Sequence, residues 1–263
     1  MLRKQAGAFA AIIALSALGL SACSPEHEGT GGLEDTTTDA SVNADDGNDD
    51  YATNFIWHES DSFDPVSPLG TFVRAYIESM LRMSLDGGRS ELFPGAEEAT
   101  GFDLTSLERA AVDRPAGPEG RRGVQDLYVL AVNENHLESE VIVCEDPSGV
   151  AEKVADGKWE ARGSEEFARV QISRLVLERV GDPPPSNVVG RAQSPSVSMF
   201  GGWKALEYQA VLTQDPLEEH FMSECLSEIG KDATPRDVGG LPVPEPPIAA
   251  PAPEPGWPEG ESV

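Results

Sequence analysis

Cysteine is the residue type in this chain with the most chemistry in reach, and its three copies divide by spacing into one and two. Cys23 closes a leader in which Arg3 and Lys4 precede an apolar stretch from Ala6 to Leu20 and the small residues Ser21 and Ala22. A cationic start, a short apolar run and small residues make a secretory signal, too short to span a bilayer. Cys144 and Cys225 remain as an even pair with two readings, a disulfide or two separate buried thiols. A metal site is not expected of them, since neither forms a CxxC pair and no histidine stands at ligand spacing. His27, His58, His136 and His220 are scattered, and none pairs at metal spacing.

Leu20-Ser21-Ala22-Cys23 resembles, at all four places, the lipobox of bacterial lipoprotein signals, where a Leu and two small residues precede an invariant Cys. The resemblance implies that residues 1–22 are removed and that Cys23 becomes the lipidated first residue of the mature chain, bearing acyl groups of the palmitate kind. Acyl burial at about 0.8 kcal/mol per CH₂ holds a protein once more than one chain is attached, so the mature chain is anchored to a membrane and does not span it. An ordinary cleaved signal is the other reading of the leader. The protein is then expected outside the cytoplasm, lipid-anchored to the cell membrane, with Ser24 permitting outer-membrane sorting in a cell that has two. Arginine in excess of lysine, with much Ala, Gly and Pro, suggests a GC-rich, actinobacterium-like host. In that oxidising location the disulfide is the expected state of Cys144 and Cys225.

Net charge is −27 and becomes −29 once the leader, with Arg3 and Lys4 and no acid, is removed. From Cys23 to Val73 there is no Lys or Arg. Such a chain is soluble and repelled by nucleic acid, which excludes a nucleic-acid role. Asp45, Asp46, Asp49 and Asp50 around Gly47-Asn48 resemble a calcium loop in composition. They lack its alternating ligands and terminal bidentate Glu, so they read as a solvated acidic run. There is no GxSxG elbow, Walker loop, HExxH or GxGxxG between strand and helix. No catalytic residue, metal or cofactor is expected.

The elements that must position any site divide the chain in four: a signal peptide over 1–22, a disordered acidic tether over 23–65, a globular domain over 66–232 and a disordered Pro-rich tail over 233–263. Within the tether Phe55-Ile56-Trp57-His58 is either an N-terminal strand docked on the domain or a local cluster. The tail reads as a polyproline II rod, either a free tail or a groove ligand anchored by Trp257. In the domain Ser67-Pro68 caps a helix whose stripe is Phe72, Val73, Tyr76, Ile77, Met80 and Leu81, stopped at Asp86-Gly87-Gly88. Thr105 with Glu108 predicts a capping box for a second, shorter helix. From Val124 the period becomes 2: Val124–Asn133 and Leu137–Cys144 form a hairpin, Asp156-Gly157 marks another, and Phe167–Val180 and Trp203–Thr213 are strands, the first bending near Leu175. A short strand over Phe221 to Leu226 carries Cys225.

Helices first and antiparallel strands after predict an α+β fold, an N-terminal amphipathic helix packed in a curved antiparallel sheet. The order of these elements resembles the cystatin/NTF2-like cone, with the excursion Asp182 to Gly202 as a departure and a β-sandwich with appended helices as the alternative. The resemblance implies an interior able to hold a small apolar ligand and, in some relatives, an Asp or Tyr for proton transfer. Asp126 and Tyr128 share a strand face, and Glu207 would have to point inward against its alternation with Tyr208. The expected function is that of a non-enzymatic envelope lipoprotein binding a protein partner or a small apolar ligand. An isomerase or hydratase comes second and a purely structural adaptor third. Met199, Phe200 and Trp203 beside Gly201-Gly202 are either the contact patch or core packed under the loop.

Overall fold

The first helix is the element on which the rest is assembled. The computed structural model describes residues 53–112, 120–154, 158–161, 163–164, 166–210, 216–233, 241–243 and 252–260, all within the unit Asp46–Val263. Helix α1 spans Pro68–Arg82. Ser67 caps it, its Oγ accepting from the Gly70 N–H at 3.0 Å, and Pro68 takes the first position, where a missing N–H costs nothing. The expected stripe from Phe72 to Leu81 is buried. A π-helical turn, Met83–Gly87, ends the helix at Gly88, whose φ of 105° suits glycine alone. Helix α2 spans Thr105–Val112. The expected capping box does not form: Asp103 Oδ1 accepts from both the N–H and the hydroxyl of Thr105, while Glu108 pairs with Arg89 at 3.0 Å.

The opposite side of α1 is buried too, although it is charged. Arg74, Glu78 and Arg82 repeat every four residues and are all buried. Trp57 donates its indole N–H to Glu78, and so does Trp257. Arg74 lies 4.4 Å from the centre of the Trp257 ring and donates to the carbonyls of Pro65, Val188 and Pro255. Arg82 lies 4.8 Å from the centre of the Phe55 ring. Burial raises the Glu78 carboxyl above its ordinary value, with Arg74, the two indoles and Arg82 acting against it.

The strands are β1 Thr53–His58, β2 Arg121–Glu134, β3 Glu138–Asp146, β4 Val150–Lys153, β5 Trp159–Ala161, β6 Phe167–Ala168, β7 Gln171–Glu178 and β8 Lys204–Gln209, followed by helix α3 Pro216–Ile229 and strands β9 Asp232–Ala233 and β10 Leu241–Val243. One mostly antiparallel sheet runs β10-β5-β4-β2-β3-β7-β8, with β1 parallel to β2, and β6 pairs with β9 apart from it. The fold is therefore α+β with an open sheet covered by helices, not two sheets packed face to face. The expected hairpins β2–β3 and β4–β5 are both present, the turn Asp156-Gly157 lying outside the described residues. Two register shifts, each with one extra residue, fall at Leu130 of β2 and Leu206 of β8. The bend expected near Leu175 thus belongs to the neighbouring strand. The apolar residues of β7 change sides only because both faces of the sheet are covered.

α1 covers one face over Leu127, Val129, Val141, Val143, Leu175, Leu177 and Tyr208. The other face, with Ile142, Cys144, Ala168, Val170 and Ile172, receives Phe221, Met222, Cys225, Leu226 and Ile229. These last residues belong to α3, which corrects the strand expected over Phe221 to Leu226. Their recurrence at one, four, five and eight positions is helical, and a six-residue window is too short to separate that period from an apolar strand.

The domain extends beyond both bounds, 66 and 232, expected of it. On the N-terminal side β1 buries Phe55 and Trp57, and Phe63 packs beside them. On the C-terminal side β10 pairs with β5, and Trp257 is 0% exposed, its N–H and carbonyl exchanging hydrogen bonds with Ala192. Proline did not keep the described parts of the tail out of the sheet because Pro242 sits in an edge strand, where a missing donor is tolerated.

Candidate functional site

Where α1 gives way to its π-helical turn, the sheet beneath is left with a cavity of about 90 Å³. Met80, Leu81, Met83, Leu85 and Leu107 wall it from the helical side. From the sheet come Arg121 and Gln125 of β2, Glu145 of β3 and Tyr208 of β8, with Gln171 of β7. Strand geometry places them together. Gln125 alternates with Leu127 and Val129 on the α1 face, and Glu145 stands opposite Leu127, so the two polar side chains are diagonal neighbours.

Glu145 is the chemical centre of the cavity. It is buried, and its Oε2 accepts from the Gln125 amide at 3.1 Å. Oε1 is shut off from solvent, and the buried Ser173 hydroxyl of β7 is its neighbour. Burial pushes the Glu145 carboxyl up to about 7, while Ser173, Gln125 and the Arg121 charge pull the other way. Arg121 is itself held by Glu152 at 3.1 Å. The Tyr208 phenol is pushed far above its ordinary value, first by burial and then by the Glu145 charge, and stays protonated. The arrangement offers one apolar recess with a buried carboxyl in its wall, a group that exchanges its proton near neutrality.

The residues singled out in the sequence lie elsewhere. Asp126 and Tyr128 share a strand face as expected, but it is the face turned away from the cavity, where His58 bonds to Asp126 at 2.8 Å and stacks on Tyr128 at 4.1 Å. Glu207 points away from the cavity to Arg174, at 2.9 Å. Met199 and Phe200 are not a contact patch. Both are buried, with Phe200 edge-on to Phe72 at 5.5 Å, and half-buried Trp203 packs 6.2 Å from the same ring. Gly201 and Gly202 turn the chain so that these side chains face inward, leaving the core reading of the loop in place. Cys144 and Cys225 form the disulfide, with Cα atoms 5.6 Å apart, tying α3 to β3. Cys23 and the run Asp45–Asp50 lie outside the described residues. Among the described residues no group of His, Cys, Asp and Glu side chains could hold a metal ion, and no helix is long and apolar enough to cross a membrane.

The cavity residues went unread in the sequence, although a signal was present. Val141, Val143 and Glu145 share one side of β3, so an acid closes an otherwise apolar alternation facing the core. No family model, curated protein or solved structure matches this chain.

Proposed function

We propose that the protein is a non-enzymatic, extracytoplasmic lipoprotein, anchored by lipid on Cys23, that binds a small apolar ligand in the cavity between the end of α1 and the sheet. The observation that carries the ligand reading is the cavity itself, walled by Met and Leu side chains with the buried Glu145 on its sheet side. A protein partner is less well served, because Met199 and Phe200 are spent in the core. The anchor rests on the lipobox Leu20-Ser21-Ala22-Cys23, and the Cys144–Cys225 disulfide accords with an oxidising compartment.

The same reading takes the fold as a cystatin/NTF2-like cone. A long helix lies on one face of an antiparallel sheet, and bulges at Leu130 and Leu206 supply curvature. The parallel β1 and the helix α3 on the outer face are additions to that pattern. One observation favours a second function, an isomerase or hydratase: a carboxyl that titrates near 7 inside an apolar recess is suited to general acid–base work.

Intact and native mass spectrometry of the protein extracted from the membrane of its own host test the proposal. The expected species is acylated 23–263, heavier by two hydrogens after reduction, with a small molecule retained under native conditions. An unacylated full-length mass overturns the anchor. No retained molecule, together with no response to a panel of small apolar compounds, overturns the ligand.

A further inference from the structure

The loop carrying Met199 and Phe200 is closed to a protein partner, but the sheet has another surface, at the opposite end of β2 from Arg121 and Gln125 of the cavity. We propose that the edge of β2 over Val129–Glu134 takes an extended, basic segment of a protein partner as an added strand. β1 lies along β2 from Gly123 only to Tyr128. Beyond that point Asn135 donates its N–H to the Glu138 carbonyl across the hairpin, so alternation turns the backbone groups of Val132 and Glu134 to the opposite edge. No strand of the described residues pairs with them there. Val132 is half-buried and Glu134 exposed, so both are within reach of another chain. An edge of this kind is a template for main-chain hydrogen bonds.

Charge selects the occupant. The open stretch begins at a groove of about 780 Å³ between the loop after β1 and the flank of α3. Val129 and Leu130 of β2 line it, with Glu59 and Asp61 on the loop side and Glu224 and Glu228 on the helix side. All four acidic residues are exposed, and no Lys or Arg of the described residues lines the groove. At the far end of the edge the Arg179 charge is already paired with Glu134 at 2.9 Å. Further segments of the same chain are repelled, since 23–73 and 237–263 contain no Lys or Arg, and a second copy brings a net charge of −27. A basic strand is attracted where these are repelled. Because α3 covers one face of the sheet, every second side chain of the guest turns toward Glu224 and Glu228, and basic residues at those places match them.

The test titrates the full oxidised chain, labelled with ¹⁵N, with a blocked heptapeptide of alternating Val and Lys. Two controls accompany it: the same peptide with Glu in place of Lys, and the Val–Lys peptide N-methylated along its central residues, which keeps the charge and loses the strand donors. The Val–Lys peptide is expected to shift the amide signals of Val132 and Glu134, to slow their hydrogen exchange, and to bind about tenfold more tightly than either control. Glu224→Gln combined with Glu228→Gln, both at exposed positions, should weaken it by about fivefold, the worth of two exposed ion pairs. Equal binding of the N-methylated peptide reduces the effect to diffuse attraction by an acidic protein and overturns strand addition. Equal binding of the acidic peptide, or an unchanged affinity in the double variant, overturns the selection by charge. If no peptide moves Val132 or Glu134, the edge is not a docking site.

Discussion

Trp57 and Trp257 meet on one carboxylate: the indole N–H of the first donates to Oε1 of Glu78 at 2.8 Å and that of the second to Oε2 at 2.7 Å. An N-terminal strand and a C-terminal segment are thereby held to the same turn of α1. Arg74 completes the link through the Pro255 carbonyl at 2.6 Å. A buried charge with every partner in place holds its position, whereas one that loses a partner is strongly destabilising.

Glu78→Ala should therefore lower the free energy of unfolding by about 3–5 kcal/mol, because it strands Arg74 and two indole N–H groups. Trp257→Phe keeps most of the apolar contact and should cost about 1.5–3 kcal/mol, the worth of a hydrogen bond to a charged acceptor. Urea unfolding of the two variants measures both. A loss below about 1 kcal/mol for Glu78→Ala would contradict the clasp.

The disulfide closes a separation of 81 residues, for which the chain-entropy account predicts roughly 4 kcal/mol. Cys144→Ser combined with Cys225→Ser should lower Tm by roughly 10 °C and leave membrane attachment unchanged. An unaltered melting curve would show that α3 needs no covalent tie to β3.

Glu145 gives the protein a pH signature. Its carboxyl titrates near 7 when folded and near 4.5 when unfolded, so between these values the native state holds a proton that the unfolded state releases. Stability from this group is complete below about pH 4.5 and is lost as pH rises through 7, by about 3 kcal/mol in all. Glu145→Gln removes that term while leaving Glu78 in both proteins. The variant should gain on the wild type between pH 4 and pH 8 in urea midpoints, and a constant difference across that range would place the Glu145 titration elsewhere.

Phe200→Ala should cost about 3–5 kcal/mol, as a large core truncation does. Val197→Ala, in the same loop but at a side chain that is 60% exposed, should stay within about 0.5 kcal/mol. Equal effects would return the loop to the role of an exposed contact patch.

Cys23→Ala should move the protein from the membrane fraction to the medium, since lipid on that sulfur is the proposed anchor. Retention in the membrane fraction after the substitution would end the lipobox reading.

What was legible in the sequence was local. The α1 stripe from Phe72 to Leu81, the β2–β3 hairpin around Asn135 and the α+β class follow from periods that a few neighbouring residues display. The pairing of Cys144 with Cys225 was legible by count and by the compartment that the leader's resemblance implies. Helix α3 was missed because Phe221 to Leu226 is too short to show its period, and the contact patch because Met199 and Phe200 look the same exposed or buried. What tertiary structure alone decided was non-local. Trp57 and Trp257 lie in segments whose acid or proline content argues against order, and only a buried Glu78 between Arg74 and Arg82 gives both a place in the core. Glu145 is likewise one acid among many until the end of α1 closes over it, and the desolvation that shifts its proton affinity exists only in the packed chain.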